Sequence, residues 1–425
     1  MTEPTSLRNI AIIAHVDHGK TTLVDCLLKQ SGTFRENEAT TERMMDSNDL
    51  EKERGITILA KTTSVVWGDT RINIVDTPGH ADFGGEVERI LSMVDGAIVL
   101  VDAAEGPMPQ TKFVVSKALK IGLRPIVAVN KIDKPERRPD EVIDEVFDLF
   151  DALGADDDQL DFPILYGSAK NGWMSTQYED ERTDMNELFD LVVQHVPEPK
   201  VEDGAFRMLA TTIGADNFLG RILTGRVSSG TVKPNQTVKV LARDGSLVES
   251  GRVSKVLAFR GLQREPIEIG EAGDIVSISG LQKANVADTF VDPSVDTPIE
   301  AQPIDPPTLS MTFRVNDSPL AGTEGDKVTS RVIWDRLQKE AEGNVALKVE
   351  RSTEAEAFVV SGRGELQLAV LIETMRREGY ELGVSRPQVV YKEGDGGERL
   401  EPIEEVVIDV DDEFSGAVVQ KLSER

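Results

Sequence analysis

Asn9-Ile10-Ala11-Ile12-Ile13-Ala14-His15-Val16-Asp17-His18-Gly19-Lys20-Thr21-Thr22-Leu23-Val24-Asp25 runs from an apolar stretch, through a polar turn, into an amphipathic pattern that continues to Gln30. This is the strand, loop and helix order that a phosphate-binding loop requires. Gly19 lets the backbone turn so that successive N–H groups face phosphate oxygens. Lys20 reaches the β- and γ-phosphates, and the Thr21 hydroxyl ligates Mg²⁺. Asp17, His18 and Thr22 complete the candidate contacts of the loop. The glycine that usually opens such a motif is Ala14 here, so the assignment needs support from the rest of the chain.

Four further signals follow in the order a GTPase needs. Arg54-Gly55-Ile56-Thr57-Ile58 lies in a polar, charged segment, where Thr57 can close over the γ-phosphate and ligate Mg²⁺. Asp76-Thr77-Pro78-Gly79-His80 follows an expected strand; Asp76 suits the metal-side carboxylate, and Gly79 can offer its N–H to the γ-phosphate. Asn130-Lys131-Ile132-Asp133 ends another strand. The Asp133 carboxylate can accept from N1–H and the exocyclic amine of guanine. Adenine offers neither in that geometry, and an unpaired buried carboxylate is costly, so the motif selects GTP over ATP. Lys131 can lay its aliphatic stem over the base. Ser168-Ala169-Lys170 fits the loop whose backbone N–H reads guanine O6.

With these residues in view, the chain resembles the translational GTPases and, within them, the BipA/TypA family. The resemblance rests on Asn9–Asp25 and on Met45-Asp46-Ser47-Asn48-Asp49-Leu50-Glu51-Lys52-Glu53-Arg54-Gly55-Ile56-Thr57-Ile58-Leu59-Ala60-Lys61, and it runs from about Leu7 to the last residue. LepA and elongation factor G share much of the pattern, although no room exists after Ser168 for the large insert of elongation factor G. The resemblance implies a ribosome-associated GTPase that hydrolyses GTP to GDP and phosphate, acting in ribosome assembly or stress-conditional translation. It implies the ribosome (rRNA and ribosomal proteins) as partner, with tRNA a further candidate. It also implies that His80, where small signalling GTPases carry Gln, orients the attacking water. Val16 and Ile56 would gate it, against a reading as ordinary loop packing. Asp17 resembles a position that binds a monovalent cation, with a solvated or Mg-adjacent carboxylate as the alternative.

Composition neither predicts nor forbids this. The chain has 425 residues, 39% hydrophobic and 29% charged, which suits several globular domains. The net charge is −28, from 47 basic and 75 acidic residues. Phosphate binding rests on Lys and Arg, so nucleic acid would be a poor guess from charge alone. Cys26 is the only cysteine; this fits a reducing cytoplasm, with the thiol read as a core group. No apolar run approaches a membrane span, the start resembles no signal peptide, and nothing points to DNA or to an extended self-interface, so a cytoplasmic monomer is expected.

The expected architecture is multidomain. Residues 1–200 alternate strand and helix patterns, as an α/β P-loop GTPase domain should. Strands are expected at Asn9–Ala14, Thr63–Trp67, Arg71–Asp76, Gly96–Asp102, Pro125–Asn130 and Phe162–Tyr166, with every nucleotide motif at a strand's carboxyl end. After Pro197-Glu198-Pro199, residues 201–302 read as an antiparallel β-barrel. Residues 303–395 read as a ferredoxin-like α+β domain. Residues 396–425 read as an incomplete start of a further α/β domain, a strand at Glu405–Val410 and a helix at Ser415–Ser423. BipA-family proteins continue beyond that point, which suggests a truncated chain.

Several other features read as structural. His15 and His18 lack the spacing of a metal site. Asp156-Asp157-Asp158 reads as a solvated loop, and Asp409 to Glu413 lacks the pattern of a calcium loop. Gly362-Arg363-Gly364-Glu365 reads as a turn facing the GTPase domain or the ribosome. Trp67, Trp173 and Trp334 are too scattered for a stacking platform. A switch protein that uses GTP to bind a non-ribosomal partner is the alternative function. A metabolic enzyme on an elongation-factor core is disfavoured, since no second catalytic cluster is visible.

Overall fold

A computed structural model of the chain describes residues 4–32, 49–54, 57, 60–78, 84–178, 184–216, 218–301, 306–344, 346–354, 356–394, 396–403, 408, 410 and 412–424. The first sheet contains β1 (Ser6–Ala14), β2 (Lys61–Trp67), β3 (Thr70–Asp76), β4 (Gly96–Asp102), β5 (Arg124–Asn130), β6 (Ile164–Ser168) and β7 (Trp173–Ser175). Their order is β2-β3-β1-β4-β5-β6-β7. The β1–β3, β1–β4, β4–β5 and β5–β6 pairs are parallel, while the edge pairs β2–β3 and β6–β7 are antiparallel. Helices α1 (Lys20–Gln30), α2 (Asp49–Arg54), α3 (Gly84–Leu91), α4 (Pro109–Lys120), α5 (Pro139–Ala152), α6 (Asp157–Leu160) and α7 (Asn186–His195) belong to the same part of the chain.

The continuous apolar runs of β1, β4 and β5 follow from burial on both faces of a parallel sheet. Alternate residues of β1 enter two cores: Ile10, Ile12 and Ala14 join Leu23, Leu27 and Phe189 on one face, while Ala11 and Ile13 join Val87, Val115 and Phe150 on the other. Strand order reverses at β1, with β3 on one side and β4 on the other. The loop after β1 therefore opens at the switch point, where such sheets bind ligands.

The structure departs from the sequence reading in three places here. The charged segment before Thr57 forms helix α2 at Asp49–Arg54. Asp156 to Asp158 are exposed, as expected, but start a helix rather than a loop: Asp156 caps α6 by accepting from Gln159 N, and the Gln159 side chain accepts in return from Asp156 N. The last parallel strand begins at Ile164 and runs through Ser168, because pairing continues with β7, a hairpin partner the apolar pattern did not signal.

Among the described residues between Arg207 and Val291, a sheet of nine antiparallel strands coils into a barrel-like form around Met208, Val238, Val256, Ile278 and Phe290. The strand Lys255–Arg260 and the turn after it meet β2. Thr63 Oγ1 donates to Gly261 O, and Ser64 Oγ to Phe259 O, both at 2.6 Å. Ile275, from the barrel, joins the same buried cluster as Ala97 and Val99.

A third sheet contains Leu309–Val315, Lys348–Arg351, Ala357–Gly362 and Leu382–Val384, with α8 (Ser330–Gly343) and α9 (Glu365–Arg377) between them. Numbered along the chain, these four strands lie in the order 2-3-1-4, all antiparallel. This is the ferredoxin-like arrangement, packed around Phe313, Ile333, Leu337, Phe358 and Leu368. Gly364 caps α9, and the Gln367 side chain accepts from Arg363 N at 2.7 Å, so the Gly362–Glu365 segment is a helix start. A final helix, α10 (Asp412–Ser423), leaves Phe414, Val419 and Leu422 exposed. Of the strand expected at Glu405–Val410, residues 405–407 and 409 lie outside the described residues, and Ile408 and Val410 are not in a strand. Among the described residues no helix is long and apolar enough to cross a membrane.

Candidate functional site

The loop between β1 and α1 is fixed by one backbone conformation and one side chain. Gly19 has φ 96° and ψ 23°, in the left-handed region that favours glycine. A Cβ there would lie 2.5 Å from Asn130 Nδ2. Glycine is thus required twice, for the turn and for the close approach. Asn130, at the end of β5, donates from Nδ2 to His18 O at 2.8 Å and accepts at Oδ1 from Ala169 N, also at 2.8 Å. One amide joins the phosphate loop to the expected base-reading loop. From α1, the Cys26 thiol donates to Ala169 O at 2.9 Å, so the thiol is half-buried against that loop.

A cavity of about 430 Å³ opens above these contacts. Asp17, Gly19, Lys20, Thr21, Thr22, Thr57, Asn130, Lys131, Asp133, Ala169 and Lys170 line it, so eleven of the residues expected from sequence converge on one pocket. His18 and Ser168 are buried behind the wall, and Asp76 lies beneath it, with no exposed surface. Gly79, His80 and Ile56 lie outside the described residues. Val16 also lines the pocket.

At the phosphate end, Lys20 Nζ lies 3.0 Å from Asp76 Oδ1 and donates to Thr77 O. Thr57 Oγ1 donates to Asp76 Oδ2 at 3.4 Å. Asp76 Oδ1 is buried without an aligned hydrogen bond. A buried carboxylate oxygen of this kind, with the Thr57 hydroxyl beside it and Thr21 on the same wall, fits a hard cation that takes oxygen ligands. The residues present therefore suit Mg²⁺.

His18 is wholly buried, with Nδ1 3.4 Å from Leu100 O and Nε2 3.4 Å from Glu105 Oε2. The His15 ring stands edge-on to it, 5.2 Å between centroids. Burial pushes both imidazoles below the ordinary histidine value, and for His18 the neighbouring His15 adds to the fall. His18 packs the loop from behind, whereas His15 also lines the pocket.

At the base end, Lys131 has φ 63°, unusual for a residue with a Cβ. Its Nζ donates to Asp17 O at 2.6 Å and lies 2.8 Å from Asp102 Oδ2. Asp102 was missed in the sequence reading. Burial alone would raise its carboxyl; the bonds from Lys131, Ala104 N and Lys134 overcome that and hold it well below the usual carboxylate range. The available signal was a lone Asp closing the otherwise apolar run Gly96-Ala97-Ile98-Val99-Leu100-Val101.

Comparison with known proteins agrees with this geometry. The elongation factor Tu GTP binding domain family matches residues 5–198, and the elongation factor Tu domain 2 family matches residues 220–291. A protein of Salmonella typhimurium described as large ribosomal subunit assembly factor BipA is 56% identical over 421 residues, 99% of this chain and 69% of that protein. A protein of the same description from Synechocystis is 54% identical over 420 residues, 99% of this chain and 70% of that protein. A solved crystal structure of a protein from Thermus thermophilus superposes with a TM-score of 0.67 at 19% identity, covering 91% of this chain and 68% of that one. That last likeness concerns the fold.

Proposed function

The chain belongs to the BipA family of elongation-factor-type GTPases and is a GTP hydrolase, and from that premise we propose that it acts on the ribosome, in assembly of the large subunit. The observation that carries the nucleotide chemistry is the Asn130 side chain, which ties phosphate loop to base-reading loop around one cavity. The ribosomal partner, rRNA and ribosomal proteins, is supported by the description of relatives that match 99% of the chain. tRNA contact, action as a cytoplasmic monomer, a role under stress and a monovalent cation at Asp17 belong to the same proposal. So does a division of the chain into residues 1–200, 201–302, 303–395 and 396–425.

Each residue has a defined task in this reading. Gly19 and its neighbours aim backbone N–H groups at phosphate oxygens, and Lys20 neutralises charge on the β- and γ-phosphates. Thr21, Thr57 and Asp76 would hold Mg²⁺, which when bound neutralises further phosphate charge. Asp133 accepts from guanine, Lys131 covers the base, and Ser168 to Lys170 present N–H to O6. Gly79 and His80 complete the set, His80 orienting the water that attacks the γ-phosphate. Phosphoryl transfer of this kind leaves the protein chiefly positioning and charge stabilisation to supply.

GTP turnover with and without purified ribosomes and large subunits tests the proposal. A strong stimulation, lost in His80→Ala with nucleotide affinity retained, is expected. Turnover that particles leave unchanged, with no co-sedimentation, would break it and favour a switch acting on another partner. Asp133→Asn should move preference from guanine to xanthine nucleotides, read by competition binding; an unchanged GTP preference would remove Asp133 from base reading.

A further inference from the structure

Asp102 ends β4, whose preceding residues are all buried, and its own carboxylate has no exposed surface. Oδ1 accepts Ala104 N–H at 2.8 Å and Glu105 N–H at 3.4 Å. Oδ2 lies 2.8 Å from Lys131 Nζ and 2.9 Å from Lys134 Nζ. One buried negative charge thus serves two ammonium groups, and its two oxygens divide the work. Oδ1 shapes the turn after β4, and Oδ2 faces the pocket wall. Lys131 also donates to Asp17 O, so its side chain is drawn between the phosphate loop and the end of β4. A free lysine side chain samples many rotamers, and ordering it on ligand arrival costs free energy that a pre-ordered one does not incur.

We propose that Asp102 is a positioning residue for the guanine nucleotide. It fixes the Lys131 ammonium at the far wall, so that the aliphatic stem lies ready against the base before the nucleotide enters. Lys134 neutralises Oδ2 from the other side and keeps the carboxylate charged. This inference rests on the guanine-nucleotide reading of the pocket.

The test is a double-mutant cycle on GDP affinity, read with a fluorescent GDP analogue, using the whole chain as wild type, Asp102→Asn, Lys131→Gln and the double variant. Asparagine keeps an oxygen for Ala104 N–H and removes the charge that faces the lysines. Asp102→Asn should weaken binding about tenfold, as loss of a charged hydrogen bond does. In GTP turnover the loss should fall on KM, with kcat held within about twofold. The double variant should bind as Lys131→Gln does, because the carboxylate acts through that ammonium. Equal losses in both backgrounds would overturn the proposal. Should Asp102→Asn alone fail to fold, the double variant against Lys131→Gln gives the same decision. A wild type that fails to bind GDP would break the functional reading itself, whereas wild-type binding with no loss in Asp102→Asn would break this inference alone.

Discussion

The first domain is joined to its two neighbours by different means. Toward the barrel the seam is buried and polar. Asn73 Nδ2 donates to Asn9 Oδ1 at 2.9 Å and to Asp274 Oδ1 at 3.0 Å. Asn9 Nδ2 reaches Gly273 O at 2.9 Å, and Arg226 pairs with Asp95 at 2.9 Å. With Ile275 inside the first domain's core, the two parts share one interior. Toward the third sheet the described residues meet chiefly through helix α2. Leu50 on α2 packs against Leu366 and Val370 of α9, and Glu53 pairs with Arg377 in a two-pronged bridge. The first seam makes two domains one body, because breaking it strands buried polar groups. The second, among the described residues, is a clasp on the short helix that leads to Thr57, with Glu86 of α3 also within electrostatic reach of Glu340 on α8.

The largest expected effect lies in the buried seam. Asn73→Ala strands Asn9 Oδ1 and one of Asp274's bonds, each unmet group costing about 1–3 kcal/mol, so a loss of about 3 kcal/mol is expected. Calorimetry should show the first domain and the barrel still melting together but earlier. A separate barrel transition at the wild-type temperature would mean that the seam does not couple them. Next, Leu50→Ala should cost about 2 kcal/mol, the low end for a buried leucine. The loss should appear as faster amide exchange in α2 and α9 with the global midpoint little changed. A global loss as large as that of Asn73→Ala would erase the distinction between the seams.

A pH effect should be smaller. Glu86 on α3 has its carboxyl pushed up to about 7, mainly by burial; Arg89 opposes the rise and Glu340 of α8 adds to it. A carboxyl raised above its unfolded value favours folding while protonated, and that contribution is lost as pH rises from the ordinary glutamate value to about 7. Melting of Glu86→Gln should therefore depend less on pH between about 5 and 7 than melting of the wild type. Parallel curves would place Glu86 outside the coupling between α3 and α8. Glu53→Gln should do least. Its partner is exposed and screened, as surface pairs are, so the global midpoint should not move. Only the salt dependence of amide exchange in α2 should disappear, and a clear fall in the midpoint would make the clasp a structural seam.

Much of this was legible in sequence for identifiable reasons. The parallel strands announce themselves because burial on both faces demands unbroken apolar runs, and α1 because its apolar positions recur at helical spacing. The phosphate loop and base motifs were readable because glycine, lysine and carboxylate at fixed offsets have few other uses. Helix α2 was not, since its pattern is charged and one residue, Leu50, carries its packing against α9, a helix far along the chain. The capping role of Asp156 was hidden by the acid run around it. Asp102 was hidden because an aspartate at a strand end has many ordinary meanings until its neighbours are known.

The sequence by itself determined that this is a phosphate-binding α/β domain followed by a barrel and a ferredoxin-like unit, and that guanine is the base it reads. Those are consequences of local periodicity and of short motifs whose chemistry is complete within a few residues. Only the tertiary structure decided that Asn130 bolts the two halves of the pocket together, that Asp102 holds Lys131, and that one neighbouring domain is fused to the first while the other is clasped. Each of these is a contact between residues distant along the chain. Its energy depends on burial and on the partner's position to within a fraction of an ångström, and a linear pattern records neither.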